Sequence, residues 1–469
     1  MNNLAALSGE LFPKTRFRSM GLKLIVVCLL ALLMIIPALF LWTLVEDRTN
    51  RAQDVVREIS QHVGGQQTFL GPTLAIPYTI PALSPTDSTK RGIYLVFPSR
   101  ATGTVKVRTE ERHRSLFKVP VFRADVKLDG SFDLSGVPAA APPGAELQWD
   151  HAEMVVGVSD PRGALADAAL MANGHTMTLL PAAVAQNLSV GGEGSPLLRL
   201  TLLGTKLDGL AQPNAKFDVA ATLRFSGAQR IAVLAYGKTT ELSLAGDWPN
   251  PGFDGGFLPA TRNVATSGFD AQWSVPFIAR GVRAEGPAES VTNLDATALG
   301  VSFVEVADPY QSVTRSLKYV PLFLGLIFVA YFIFEVTTEK RVHPAQYLLV
   351  GIAQIIFYLL LLSLAERIGF DFGFLVAGAA TVILLAANAG WIFASRKLGF
   401  RALATFGLLY TLIYLLLRLE DNALLVGAVA SFMAIAAAMY FTRGIDWYSS
   451  MGPGEPGPDA TASGLRSQP

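Results

Sequence analysis

Six apolar runs constrain this chain more than any other feature. They are Leu24–Val45, Tyr319–Glu335, Tyr347–Leu364, Phe370–Phe393, Ala402–Leu417 and Ala423–Phe441. A helix needs about 20 residues to cross the hydrocarbon core of a bilayer. In that core only helices and closed barrels satisfy their own backbone hydrogen bonds. The spacing predicts a polytopic α-helical membrane protein of about six helices, with one long insertion between the first and second. Composition agrees. Of 469 residues, 51% are hydrophobic and 16% charged, against a charged fraction of about 25% in soluble domains. A secretory signal is the rival reading of the first run. Its apolar stretch is too long for an h-region of about 7–15 residues, and no small-residue cleavage site follows. The run reads as an uncleaved anchor.

The basic residues orient the helices. Lys14, Arg16, Arg18 and Lys23 precede the first run, which places the N-terminus inside by the positive-inside rule. Counting crossings, Lys340 and Arg341, then Arg396, Lys397 and Arg401, and finally Arg443 also fall inside. The outer connections carry Arg367 beside Glu366, and Arg418 beside Glu420 and Asp421. Arg315 and Lys318 sit on the outer flank and run against the pattern, but long translocated domains tolerate such charges. The expected layout is a cytoplasmic segment 1–23, a first membrane helix 24–45, an external domain 46–318, a five-helix bundle 319–441 and a cytoplasmic tail 442–469. The tail, rich in Pro, Gly and Ser from Ser449, reads as disordered.

Within the external domain the pattern changes. Residues 46–63 are polar and helix-compatible and extend the first helix outward. Beyond them the periodicity is two. Phe217, Val219, Ala221, Leu223 and Phe225 alternate with polar neighbours, as do Phe122, Ala124, Val126 and Leu128. That is the pattern of half-buried strands. Asp129-Gly130 and Asn173-Gly174 are favoured hairpin dipeptides, and Ser226-Gly227 separates two apolar stretches. The expected fold is a mainly antiparallel β-sandwich, either one large sandwich or two smaller ones joined at Pro138–Gly144.

Signals for chemistry are weak. Five scattered histidines, at 62, 113, 151, 175 and 343, make no metal motif, and no nucleophile elbow is present, so the reading assigns no catalytic residue, no metal and no cofactor. Gly452–Gly457 matches a dinucleotide fingerprint in letters, yet it contains prolines and follows a membrane helix. Gly237–Thr239 echoes a phosphate loop but lacks its first glycine and reads as a hairpin turn. A net charge of +1 gives no electrostatic ground for nucleic acid. Cys28 stands alone, so there is no internal disulfide. Glu335 and His343 flank a short cytoplasmic turn in which Pro344 starts a helix. They are either plain turn residues or a proton or ligand site. Gln354 and Asn388 are polar mid-run and suit bonds across helices, while Ala386 and Gly390 suit close packing. In the external domain, Trp248, Phe253, Phe257, Phe269 and Trp273 cluster with prolines in Asp247–Trp273. This segment reads as a long loop or edge that either presents a binding surface or tucks its rings into the core.

Several longer stretches are more specific. They are "HPAQYLLVG", "FYLLLLSLAERIGF" and "RGIDWY" in the membrane half, with "FLGPTLAIP", "DWPNPGF", "FLPATR" and "SGFDAQW" in the external domain. In these, and in their order along nearly the whole chain, the sequence resembles the CreD family of bacterial inner-membrane proteins. The resemblance implies a role in envelope integrity, production under a two-component stress regulator in some bacteria, and a link to colicin tolerance. It supplies no reaction and no catalytic residue. The expectation is a non-enzymatic inner-membrane protein whose periplasmic domain binds an envelope component or another protein. A transporter or channel subunit is the alternative.

Overall fold

The computed structural model describes residues 20–443 apart from 83–87, 115–116, 192–197, 208, 292, 304–308, 339, 341 and 419–422. The chain divides into two compact units, Asn50–Val306 and the remainder. The N-terminal segment before residue 20, the tail from Ser449 and the Gly452–Gly457 stretch lie outside the described residues.

The membrane unit is helical. Its elements are α1 (Met20–Leu33), α2 (Ile35–Val63, whose later part enters the β unit), α3 (Pro309–Lys318), α4 (Val320–Thr338), α5 (Pro344–Ile368), α6 (Phe370–Ile392), α7 (Arg396–Arg418) and α8 (Ala423–Thr442). Among the described residues five stretches are long and apolar enough to cross a membrane: Lys23–Val63 and helices α4 to α7. The sixth apolar run also folds as a helix, α8. The first stretch breaks at Met34 for a local reason. Pro37 has no amide hydrogen, and its ring crowds the carbonyl four residues back, that of Leu33, where α1 ends. The amphipathic α3 belongs to this unit rather than to the β-domain, with Tyr310, Val313 and Leu317 buried. Arg396, Lys397 and Arg401 lie within α7 rather than in a connection, because long basic side chains carry a helix into the headgroup region.

The β unit is one sandwich of two sheets. The main path of the first sheet runs Asn187–Val190, Leu198–Lys206, Glu153–Val158, Gln67–Ile80, Arg230–Leu234, Ala298–Phe303 and Pro251–Gly255. The second runs Thr261–Ala265, Gly268–Val275, Thr239–Gly246, Arg100–Arg114, Phe117–Asp133, Lys216–Ala228, Ala169–Ala172 and His175–Thr178. Pairing is mainly antiparallel, with parallel joins between Gln67–Ile80 and Arg230–Leu234 and between Thr239–Gly246 and Arg100–Arg114. The alternating residues read from sequence point inward: Phe122, Ala124, Val126, Leu128, Phe217, Val219, Ala221, Leu223 and Phe225 are all buried in one core fed by both sheets. Tyr236 ties the sheets together. It follows Arg230–Leu234 of the first sheet, and its Oη lies 2.9 Å from the Thr102 carbonyl and 2.8 Å from that of Asp129, both in the second. Its ring fills the space that Gly71 leaves, since a Cβ at Gly71 would lie 2.5 Å from ring atoms.

Some turn assignments fail on physical grounds. Asn173-Gly174 is a two-residue hairpin turn, with φ of 49° and 79°. Asp129-Gly130 is not a turn; it lies inside Phe117–Asp133, paired on both sides. Glycine eases the packing there, because a Cβ would crowd Pro98 Cβ at 3.1 Å. Ser226-Gly227 likewise sits within a strand, and the chain turns at Gln229, whose φ is 66°. Gly237–Thr239 is a crossing between sheets rather than a hairpin. Pro138–Gly144 joins no second domain: Val137–Ala140 is a short helix, and the carbonyl of Ala140 accepts from Tyr94 Oη at 3.1 Å.

Candidate functional site

The strongest concentration of buried polar chemistry among the described residues lies where α1, α4 and α5 meet. Glu335, on the last turn of α4, is almost completely buried. A buried carboxylate in a membrane helix demands donors, because desolvation of an unpaired charge costs several kcal/mol. Glu335 has three. Lys23 of α1 forms an ion pair with Oε1. The Val342 amide donates to the same oxygen at 2.9 Å, and Tyr347 Oη of α5 donates to Oε2 at 2.9 Å. Lys23 Nζ also donates to the Val342 carbonyl at 2.7 Å. One lysine thus bridges a helix end and the turn that follows it.

Four residues of the "HPAQYLLVG" stretch have a task here. His343 caps α5, its Nδ1 accepting from the Ala345 amide at 3.2 Å, and Pro344 occupies the first turn, where its missing donor is not needed. Tyr347, one turn in, reaches Glu335. Gly351 lies one turn further on the same face. A Cβ there would stand 2.7 Å from Met34 Sδ, so the glycine makes the seat into which the break between α1 and α2 packs. The stretch is the dock for the N-terminal anchor.

A second, looser contact fastens the anchor elsewhere. Glu366 near the end of α5 accepts from Tyr310 Oη at 2.9 Å, and Arg48 of α2 lies 3.9 Å from the same carboxylate. From Lys23 to Arg48 a helix rises about 37 Å, enough to traverse a hydrocarbon core of about 30 Å. Between these levels, Gln354 accepts from Tyr410 Oη at 2.9 Å and Asn388 lies 3.4 Å from Tyr331 Oη. Both polar side chains therefore bond across helices. At Gly390 and Gly399, helices α6 and α7 approach closely enough that a Cβ on Gly399 would sit 3.3 Å from the Gly390 Cα.

The structure separates the two turn residues singled out in sequence. Glu335 is buried and paired, whereas His343 is exposed and serves as a cap. Lys23 was missed as its partner. The usable signal was level: an acid at the end of an apolar run that leads into the basic turn of Lys340, and a lysine at the basic end of the first run.

The five aromatic residues of Asp247–Trp273 are not an exposed surface. Trp248, Phe269 and Trp273 are buried, and Phe253 and Phe257 pack partly buried against the same core. Phe253 meets Phe269 and Trp273 edge-on at 6.1 and 6.2 Å, and Trp273 Nε1 donates to the Phe257 carbonyl at 2.9 Å. The segment is no long loop either. It makes three strands and crosses from one sheet to the other, and the crossing needs Gly256, whose Cβ would lie 1.7 Å from the Ala296 carbonyl oxygen. What it exposes is Leu258 and the edge strand Thr261–Ala265.

Comparison with known proteins agrees with the membrane-spanning helices. The family model described as "Inner membrane protein CreD" matches residues 19–448. The chain belongs to the CreD family of inner-membrane proteins. It is similar to the inner membrane protein CreD of Escherichia coli strain K12, with 32% identity over 429 residues, covering 89% of this chain and 91% of that relative. Both the anchor contact and the sheet-crossing segment fall within the matched region. The family motifs read in sequence therefore have physical content: "HPAQYLLVG" docks the anchor, and "DWPNPGF" with "SGFDAQW" closes the sandwich.

Proposed function

We propose that this CreD-family protein supports the integrity of the cell envelope and its response to stress, without catalysis, by holding a periplasmic β-sandwich at the inner membrane. The sandwich binds an envelope component or a protein there. One observation carries the reading: the β unit Asn50–Val306 is inserted between a membrane anchor and a helical bundle that the buried Lys23–Glu335 pair fastens together. The distribution of Lys and Arg supports six crossings, α8 included, with both termini in the cytoplasm. The contact region is the exposed part of Asp247–Trp273, namely Leu258 and the edge strand Thr261–Ala265, since an edge strand offers unpaired backbone groups to a partner. A photo-crosslinking residue at Leu258 or Val264 in living cells tests this. The expected result is one recurrent adduct, with loss of envelope protection when the strand is replaced by a charged sequence. Full protection by that variant without any adduct would end the reading.

A transporter or channel subunit is the second reading. It draws on the bundle interior, where Gln354 Nε2 and Tyr358 Oη are buried without hydrogen-bond partners. Solute-dependent flux in proteoliposomes that is abolished by Gln354→Leu would favour it.

A further inference from the structure

A groove of about 440 Å³ runs between α6 and α7. Its walls are apolar or small, with Gly378, Ala379 and Gly407 leaving the space and Tyr410 flooring it. Along α6 it extends from Asp371 to Val382, about 16 Å of helix rise. That is half of a hydrocarbon core about 30 Å thick, the depth of a single acyl chain. Its flank carries exposed Phe372 and Leu375, so the groove opens where lipid lies.

One end is charged. Asp371, in the first turn of α6, pairs with Arg418, the last residue of α7. Tyr414 Oη donates to Asp371 Oδ1 at 3.0 Å, and Arg418 Nε donates to Tyr414 Oη at 3.3 Å. The two charged side chains remain 48% and 56% exposed. Each therefore keeps hydrogen-bonding capacity on the solvent side. An anion and a cation side by side, at the mouth of a groove one acyl chain deep, complement a ligand with the opposite pair of charges on one apolar tail.

We propose that this groove binds a phospholipid with a primary-amine zwitterionic headgroup, of the phosphoethanolamine type. Its ammonium meets Asp371, its phosphate meets Arg418, and one acyl chain lies against Gly378 and Gly407. A carboxylate prefers a primary ammonium over a quaternary one because the first donates hydrogen bonds and the second has none to give. An anionic headgroup without an amine leaves Asp371 facing a like charge. The inference concerns the membrane unit and does not depend on what the β-domain binds.

The test uses the full chain, purified in a mild detergent and offered equal amounts of dioleoyl phosphatidylethanolamine, phosphatidylcholine and phosphatidylglycerol. Native mass spectrometry counts the lipid retained. The amine lipid is expected to be retained about tenfold over the other two, the low end of one charge-assisted hydrogen bond. In Gly407→Leu the added side chain starts in open space and fills the groove, since a Cβ at Gly407 meets nothing within 4 Å. That variant should fold with unchanged helical content and lose the preference. Asp371→Asn should shift preference from the amine lipid to phosphatidylglycerol, because Arg418 is then left as the unbalanced charge. Equal retention of all three lipids by the natural chain would overturn the proposal, as would a preference for phosphatidylglycerol, or an undiminished amine preference in a folded Gly407→Leu protein.

Discussion

Lys23 and Glu335 stand 312 positions apart in sequence and form one ion pair in the fold, with Glu335 buried and Lys23 partly so. The pair joins the N-terminal anchor to the C-terminal bundle, so the membrane unit is one body built from both ends of the chain. Because Val342 and Tyr347 complete the carboxylate's hydrogen bonds, the charge is satisfied rather than merely neutralised.

Removing one partner leaves the other as an unpaired buried charge, which costs about 3–5 kcal/mol, while replacing both by apolar groups is close to neutral. Glu335→Met and Lys23→Met should each lower the unfolding midpoint of the nanodisc-embedded protein clearly. The Lys23→Met, Glu335→Met double variant should recover the part of the loss due to the unpaired charge, while the Val342 amide and Tyr347 hydroxyl, left without an acceptor, keep it below the natural chain. Strictly additive losses would show that the two groups do not act as a pair.

Trp248 and Trp273 should behave as core residues. Trp248→Ala and Trp273→Ala are each expected to cost about 3–5 kcal/mol, the range for aromatic truncations in packed interiors. Chemical denaturation followed by the β signal in circular dichroism measures this. Loss of envelope protection at unchanged stability would instead return these rings to the role of a binding surface.

Gly71 and Tyr236 make the sharpest steric claim in the sandwich. Gly71→Ala places a methyl group into the tyrosine ring in the middle of both sheets, and overpacking of this kind costs about 1–3 kcal/mol. A lowered midpoint for Gly71→Ala, relieved in part by Tyr236→Leu in the same chain, is the expected pattern. No change in midpoint for Gly71→Ala would contradict the packing described.

Arg280 points the other way. It is buried over the Phe97 ring, 4.3 Å from its centroid, and none of its guanidinium nitrogens has a hydrogen-bond acceptor. Burial pushes its pKa down to about 10. A base whose pKa is lowered by folding opposes folding at full strength below its folded pKa, here about 10, and the penalty fades only as the pH rises above that toward the unfolded value. Arg280→Met removes that charge at nearly constant volume. At pH 7 its thermal midpoint should equal or exceed that of the natural chain, and a fall of several degrees would show that the ring contact outweighs the desolvation.

Much of the fold was legible because its signals are local. Apolar length marked the membrane helices, and period-two alternation placed Phe122–Leu128 and Phe217–Phe225 on inner faces. Pro344 marked a helix start. What failed depended on partners far away in sequence. Asp129-Gly130 has the letters of a turn, but its glycine answers to Pro98 in three dimensions. The rings of Asp247–Trp273 were placed correctly as a cluster, yet only the register of Pro251–Gly255 and Gly268–Val275 in two different sheets reveals that they face inward. Lys23 and Glu335 could be matched only once a common level in the membrane was assigned to both.

The orientation proposed for this chain puts the β-sandwich outside the inner membrane and the docking turn on its cytoplasmic side. Cysteine accessibility in intact cells tests this most directly, in a Cys28→Ser background. Asp125→Cys sits on the solvent face of the sandwich, where the aspartate side chain is 59% exposed, and Thr337→Cys sits beside the Glu335 turn. An impermeant thiol reagent should label Asp125→Cys in whole cells and Thr337→Cys only after permeabilisation. Labelling of Thr337→Cys alone in intact cells would reverse the orientation and contradict the account.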